Sequence, residues 1–179
     1  MAIEIETYRN SIWEIDPRFD LACLRALSDT EIAGVSRMLS VNAAKVRVPP
    51  AGVQSHLKIY RAASAMPDHS SNCTVATLDA FLTGAVKGHK GIGITTAVCM
   101  LAVEKRPSYP MYDEFGANGL LAHGDISLDD FSALTSKNVK LFSKVYVGSL
   151  IPLWLRDSQG RTEEETDLLW RNYARRGRR

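Results

Sequence analysis

Cysteine is scarce in this chain of 179 residues: Cys23, Cys73 and Cys99 are widely separated and odd in number. A disulfide framework would leave one of them unpaired, so buried free thiols in a reducing compartment are the expectation. No two are spaced as CxxC, and His56, His69, His89 and His123 show no HxxxH spacing. Neither a structural zinc nor an iron–sulfur cluster is expected, nor any other cofactor. Long apolar runs are missing as well. The longest, 145–155, falls short of the roughly 18–20 residues of a membrane span and contains Gly148 and Pro152. The start of the chain, Met1-Ala2-Ile3-Glu4-Ile5-Glu6, lacks the basic end and apolar centre of a signal peptide, which makes a cytoplasmic location the expectation. A large excess of one charge is absent: the net +2 does not by itself imply nucleic acid. Strand-like alternation is confined to a weak instance at 2–7.

What the chain does have is helical periodicity. With 45% apolar and 23% charged residues it has the balance of a soluble globular protein, and its length suits one domain, 1–179. Ser28-Asp29-Thr30-Glu31 has the spacing of a capping box, in which a serine hydroxyl and a glutamate three residues on satisfy each other's free amides. Behind it Ile32, Val35, Met38 or Leu39 and Ala43 recur at helical spacing to about 46. Pro49-Pro50 closes that segment and opens another, which runs to Met66-Pro67. A helix is predicted from Thr74 to Val86 with Val75, Leu78, Phe81 and Leu82 along one face, and a second from Thr95 to Glu104. Asp113 opens a short helix ending at His123-Gly124, Ser127/Asp130 and Thr162/Glu165 mark two more starts, and 137–156 reads as one long amphipathic stretch. The expected fold is a single-domain all-α bundle.

Between the predicted helices at 74–86 and 95–104 the chain reads His89-Lys90-Gly91-Ile92-Gly93-Ile94-Thr95-Thr96-Ala97. Two glycines around one isoleucine mark a turn whose amides can approach another molecule closely. The helix start beyond it carries unpaired N–H groups, which favour an anion. The unit 74–104 therefore has the form of a helix-hairpin-helix. Gly91, Ile92, Gly93, Thr95 and Thr96 would offer backbone to consecutive phosphates, a contact that positions without reading sequence. Lys87, His89 and Lys90 would add charge. The plain alternative is a helix–helix turn.

Asp113 follows Gly91 by 22 residues, behind Pro110 and Met111-Tyr112. A ten-residue helix leads about 15 Å away from the turn. The next eight residues span up to about 26 Å when extended, enough to bring Asp113 back beside it. With this hairpin and this spacing, residues 74–121 resemble the helix-hairpin-helix DNA glycosylase superfamily, base-excision enzymes with an 8-oxoguanine DNA glycosylase-like fold. Their hairpin ends in G-[IV]-G-x-x-T-A, here Gly91-Ile92-Gly93-Ile94-Thr95-Thr96-Ala97, and their essential aspartate lies at about this distance. The resemblance implies duplex DNA as partner and Asp113 as the acid that stabilises an oxocarbenium-like sugar or orients water. Taken alone, Asp113 reads as an N-cap of its helix, and the two roles are compatible.

The departures are informative. Members that also cleave the strand carry a lysine where this chain has Thr95, and threonine cannot form a Schiff base with the sugar. The implied activity is monofunctional: water displaces the base and an abasic site remains. His89-Lys90 stands where the family often has Leu-Pro, and the four cysteines of its cluster-bearing branch are absent. The alternative is a helix-hairpin-helix module that keeps the phosphate grip without activity, in a repair or defence complex. A third reading is a helical interaction protein whose glycine turn only joins helices.

A flipped base needs aromatic walls. Trp13, Tyr60, Tyr109, Tyr112, Trp154 and Trp170 are available, although aromatics at helical spacing usually belong to the core. Gln54 and His56 could contact a base, and Asp125, Asp129 and Asp130 most simply cap helices. From Arg171 to Arg179 there are five arginines and no acid, a phosphate contact or else a frayed C-terminus.

Overall fold

The computed structural model of the protein describes residues 58–59, 61–89, 92–105 and 107–176. Among these residues the chain is all-α, with seven α-helices, a 3-10 turn at Ser70–Asn72, a π-helical stretch at Tyr146–Leu150 and no strand. The helix expected behind Ser28, the alternation at 2–7, and Trp13, Gln54, His56 and Tyr60 lie outside the described residues. Residues 58–59 and 61–64 are helical and stop before Pro67, as the sequence predicts.

Thr74 opens α1 (Val75–Gly88) by accepting the Thr77 N–H at 3.1 Å, which satisfies one of the donors left over at a helix start. Its buried face is Leu78, Phe81, Leu82 and Ala85, a stripe at i, i+3, i+4 and i+7. Val75, expected on that stripe, lies in the first turn and is exposed. The next helix, α2 (Ile94–Glu104), is buried on every side from Ala97 to Ala102. A helix apolar all round belongs at the centre of a bundle, and this one occupies it.

The segment after α2 carries Pro107 and Pro110 and cannot continue a helix. It is anchored by aromatic side chains instead. The Pro107 carbonyl accepts the Trp154 indole N–H at 3.0 Å, and the Pro110 carbonyl accepts the Tyr146 hydroxyl. In return the Tyr109 and Tyr112 hydroxyls donate to the Pro67 and Leu134 carbonyls, both at 3.0 Å. Burial pushes all three phenols up, so they remain protonated donors. These four aromatics thus serve as the missing backbone partners of an irregular segment.

Asp113 caps α3 (Glu114–His123), which ends at Gly124 in the left-handed conformation, φ 88°. The Ser127–Asp130 capping box opens α4 (Leu128–Thr135), and Asn138 caps α5 (Val139–Val145). The chain stays helical from there through α6 (Ile151–Asp157), so 137–156 is nearly the one stretch expected, but it widens to a π-turn at Tyr146–Leu150. Pro152 accounts for the widening: it has no N–H, and its ring would press on the Gly148 carbonyl. The Ile151 N–H reaches back five residues to the Tyr146 carbonyl.

The last helix, α7 (Glu163–Arg176), begins with the expected Thr162/Glu165 box, Thr162 N–H donating to Glu165 at 2.7 Å. It packs along α3, where a Cβ on Gly119 would lie 1.7 Å from the Trp170 carbonyl oxygen. Only a residue without a side chain permits that approach. Trp170 meets Trp154 edge to face, ring centroids 5.4 Å apart, and donates its indole N–H to Asp157 at 3.0 Å.

Asp157 makes this corner sensitive to acid. Burial raises its carboxyl, but bonds from the Arg156 guanidinium and the Trp170 indole outweigh that, and the net shift is below the ordinary 3.8. A carboxyl lowered by folding contributes stability above its unfolded value and loses it as pH falls through the folded one. The melting-temperature gap between wild type and Asp157→Asn is therefore expected to shrink as pH is lowered from about 6 to about 2. A gap that stays constant in thermal melts across that range would show that the brace does not depend on the charge.

Candidate phosphate cradle and carboxylate site

The hairpin is held from within by one side chain. Ile92 is buried, its N–H bonded to the His89 carbonyl at 3.2 Å, so the turn is anchored to the core. Around it Lys87 and Gly93 are exposed, and His89, Thr95 and Thr96 are half-buried. Lys90 and Gly91 lie outside the described residues.

Gly93 is the N-cap of α2 and makes no side-chain cap bond. The first intrahelical bond, Ala97 N–H to the Gly93 carbonyl at 3.1 Å, leaves the amides of Ile94, Thr95 and Thr96 without helical partners. Nothing in the chain requires glycine at 93. Its backbone is ordinary extended, φ −98° and ψ 171°, and an added Cβ would meet nothing within 4 Å.

Asp113 is returned to α2 by the anchored proline segment. The Cys99 thiol donates to the Tyr112 carbonyl at 3.6 Å, which seats the residue before Asp113 on the second turn of α2. That is about 8 Å along the axis from the first turn. Asp113 itself is buried. One carboxylate oxygen accepts the Gly116 N–H at 2.6 Å, and the other is paired with the Arg171 guanidinium. Arg171 also pairs through Nε with Asp167 at 2.8 Å. Burial pushes the Cys99 thiol up to about 12, with the Asp113 and Asp167 charges adding to the effect. Cys99 and the buried Cys73 are thus protonated and inert.

No family model, curated protein or solved structure matches the chain. Its function is therefore read from this geometry. The structure brings Gly93, Thr95 and Thr96 together on the first turn of α2 and seats Asp113 beside the second. Tyr109, Tyr112, Trp154 and Trp170 are core residues. Phe115, in the first turn of α3 two residues beyond Asp113, is instead 64% exposed. Asp130 caps α4 as expected, whereas Asp125 pairs with His123 and Arg156 at 2.7 and 3.1 Å. A cavity of about 1050 Å³ opens at the opposite end of α2, lined by His69, Lys105, Ser108 and Arg161 among others but not by Asp113 or the hairpin. Among the described residues no group of three or more His, Cys, Asp or Glu could hold a metal ion, and no helix is long and apolar enough to cross a membrane.

The sequence alone did not single out Arg171, Asp167 or Gly119. An aspartate and an arginine four apart on a helix, Asp167 and Arg171, were a legible local pair. Their meeting with a carboxylate 58 residues away had no local signal.

Proposed function

We propose that the chain grips duplex DNA at the 88–96 turn and acts on the gripped strand as a monofunctional N-glycosylase, with Asp113 as its acid. The observation that carries the grip is Gly93: a glycine that neither backbone conformation nor packing demands, exposed at an uncapped helix start. Its use is then external, leaving the amides of residues 94–96 open to a phosphate. What supports hydrolysis is the return of a buried, arginine-paired carboxylate to the same helix. When a base leaves, positive charge grows on the sugar, and a fixed carboxylate in a water-poor site stabilises it. Thr95 offers no amine, so an abasic site rather than a nicked strand is the product. Phe115 is the exposed aromatic beside this acid in the chain and suits stacking on a base.

A second reading, DNA binding without base release, is favoured by one specific observation. Both oxygens of Asp113 are engaged within the protein, and the large cavity lies elsewhere. Incubation with a panel of lesion-containing duplexes, followed by alkali, separates the two. Strand breaks after alkali alone support hydrolysis. Retention of DNA with no alkali-labile site on any duplex leaves the binding module.

The grip has its own test. Gly93→Glu places bulk and negative charge where the phosphate would sit, and the open surroundings of Gly93 mean that the fold tolerates it. Duplex affinity is expected to fall at least about tenfold, with circular dichroism unchanged. Equal affinity, measured by fluorescence anisotropy, would take the turn out of the DNA interface.

A further inference from the structure

Arg171 opens the arginine-rich end of the chain, 171–179, and by sequence it reads as one more cation for phosphates. The structure uses it differently. Its backbone is immovable on the scale of a side chain: the Trp170 carbonyl lies against Gly119, the Trp170 ring against Trp154, and the indole N–H on Asp157. From that fixed point the guanidinium reaches two carboxylates, Asp113 on the start of α3 and Asp167 one turn back on α7. The side chains of Asp113 and Asp167 are 3% and 9% exposed, and that of Arg171 is 25% exposed. Both acids lie close enough to Cys99 for their charges to act on its thiol.

Two buried carboxylates near one another cannot both stay ionised without a counter-charge. One guanidinium between them supplies it and leaves the cluster with a single net negative charge. A planar five-donor group can serve two acids at once, whereas an ammonium acts as a point charge.

We propose that Arg171 is the positioning residue of the base-release site: it bridges Asp113 and Asp167, holds the Asp113 carboxylate in place, and leaves one uncompensated negative charge for the sugar cation. This rests on the glycosylase reading and adds to it a second acid, Asp167, and a guanidinium that does not bind DNA. The hydrolysis balances with water alone: water's oxygen bonds the sugar carbon, the C–N electron pair leaves with the base, and the water proton ends on the base.

The test uses the full chain on a lesion duplex that wild type processes, under single turnover with protein in excess. Affinity and its salt dependence are measured in parallel on the corresponding undamaged duplex. Arg171→Gln is expected to slow base release roughly 100-fold, a loss of the size seen for one preorganised electrostatic partner. Affinity should stay within about twofold and the salt slope should not change. Arg171→Lys should recover part of the rate, and Asp113→Asn with Arg171→Gln should be no slower than Asp113→Asn alone, because the two act as a unit. Asp167→Asn, which keeps Arg171 on Asp113 and removes the surplus charge, should slow release about tenfold and serves as the milder variant if Arg171→Gln folds poorly. Wild-type release by Arg171→Gln, or a loss of affinity with a shallower salt slope, overturns the positioning role and makes Arg171 a bystander or a phosphate contact. A wild-type protein that releases no base from any duplex overturns the glycosylase reading itself, and this inference with it.

Discussion

Asp113→Asn is expected to reduce base release by about two to three orders of magnitude while leaving duplex affinity within about twofold. The substitution removes charge and little else. An asparagine oxygen can still accept the Gly116 N–H that Asp113 accepts at 2.6 Å, and asparagine is as good an N-cap as aspartate. Arg171 loses one partner but keeps Asp167, and its 25% exposure allows water to take the vacated position. The start of α3 and the seat on α2 are therefore preserved, and the change falls on the developing sugar cation. Asp113→Ala is the less informative variant because it also deletes the cap, at about 1 kcal/mol, and would confuse folding with chemistry. Single-turnover release measured beside anisotropy decides the matter. An Asp113→Asn variant as fast as wild type would move the acid elsewhere, whereas equal losses in rate and affinity would make Asp113 part of the grip.

Gly119→Ala is expected to lower the melting temperature by about 10 °C, corresponding to a loss of about 3 kcal/mol in a chain of this size. One methyl group has this effect because its neighbour is backbone. The added Cβ would stand 1.7 Å from the Trp170 carbonyl oxygen and 2.7 Å from its carbon, so α3 and α7 must separate. Separation loosens Trp170 from Trp154 and Asp157, and it pulls Arg171 away from Asp113. Base release should fall together with stability. Gly116→Ala, one turn earlier on α3, is the matched control: its nearest contacts would be Asp113 Oδ1 at 3.4 Å and the Trp170 ring at 3.9 Å, ordinary packing distances. It should change stability by less than about 1 kcal/mol, since alanine's better helix propensity offsets slight crowding. A thermal melt in which both variants behave alike would show that the helix crossing is more forgiving than the distances imply.

The local devices of this fold are those that a reader of the chain can find. Thr74, Asp113, Ser127 and Thr162 start helices because each presents an oxygen to a free amide two or three residues on, a matter of a few adjacent positions. Pro107 and Pro110 break the chain where the structure breaks it, and the apolar composition of 97–102 anticipates a fully buried helix. The π-turn at Tyr146–Leu150 is harder to foresee, since Pro152 permits a kink, a break or a widened turn, and packing selects among them. The candidate site divides in the same way. Gly93 and the amides behind it follow from sequence spacing. The pairing of Asp113 with Arg171 does not, because it depends on how α7 comes to lie on α3.

Spacing along the chain was enough to establish an all-α protein, a glycine turn between two helices and an aspartate able to return to it, because caps, breakers and helical periodicity act over a few residues. The tertiary structure alone decided that the aspartate is buried and shared with an arginine 58 residues on, and that the aromatics offered as base walls are core. It also showed that Gly119, unremarked in the chain, sets the contact between the two helices that make the cluster. Those outcomes depend on which surfaces meet, and pairwise packing across tens of residues leaves no periodic trace in the order of the amino acids.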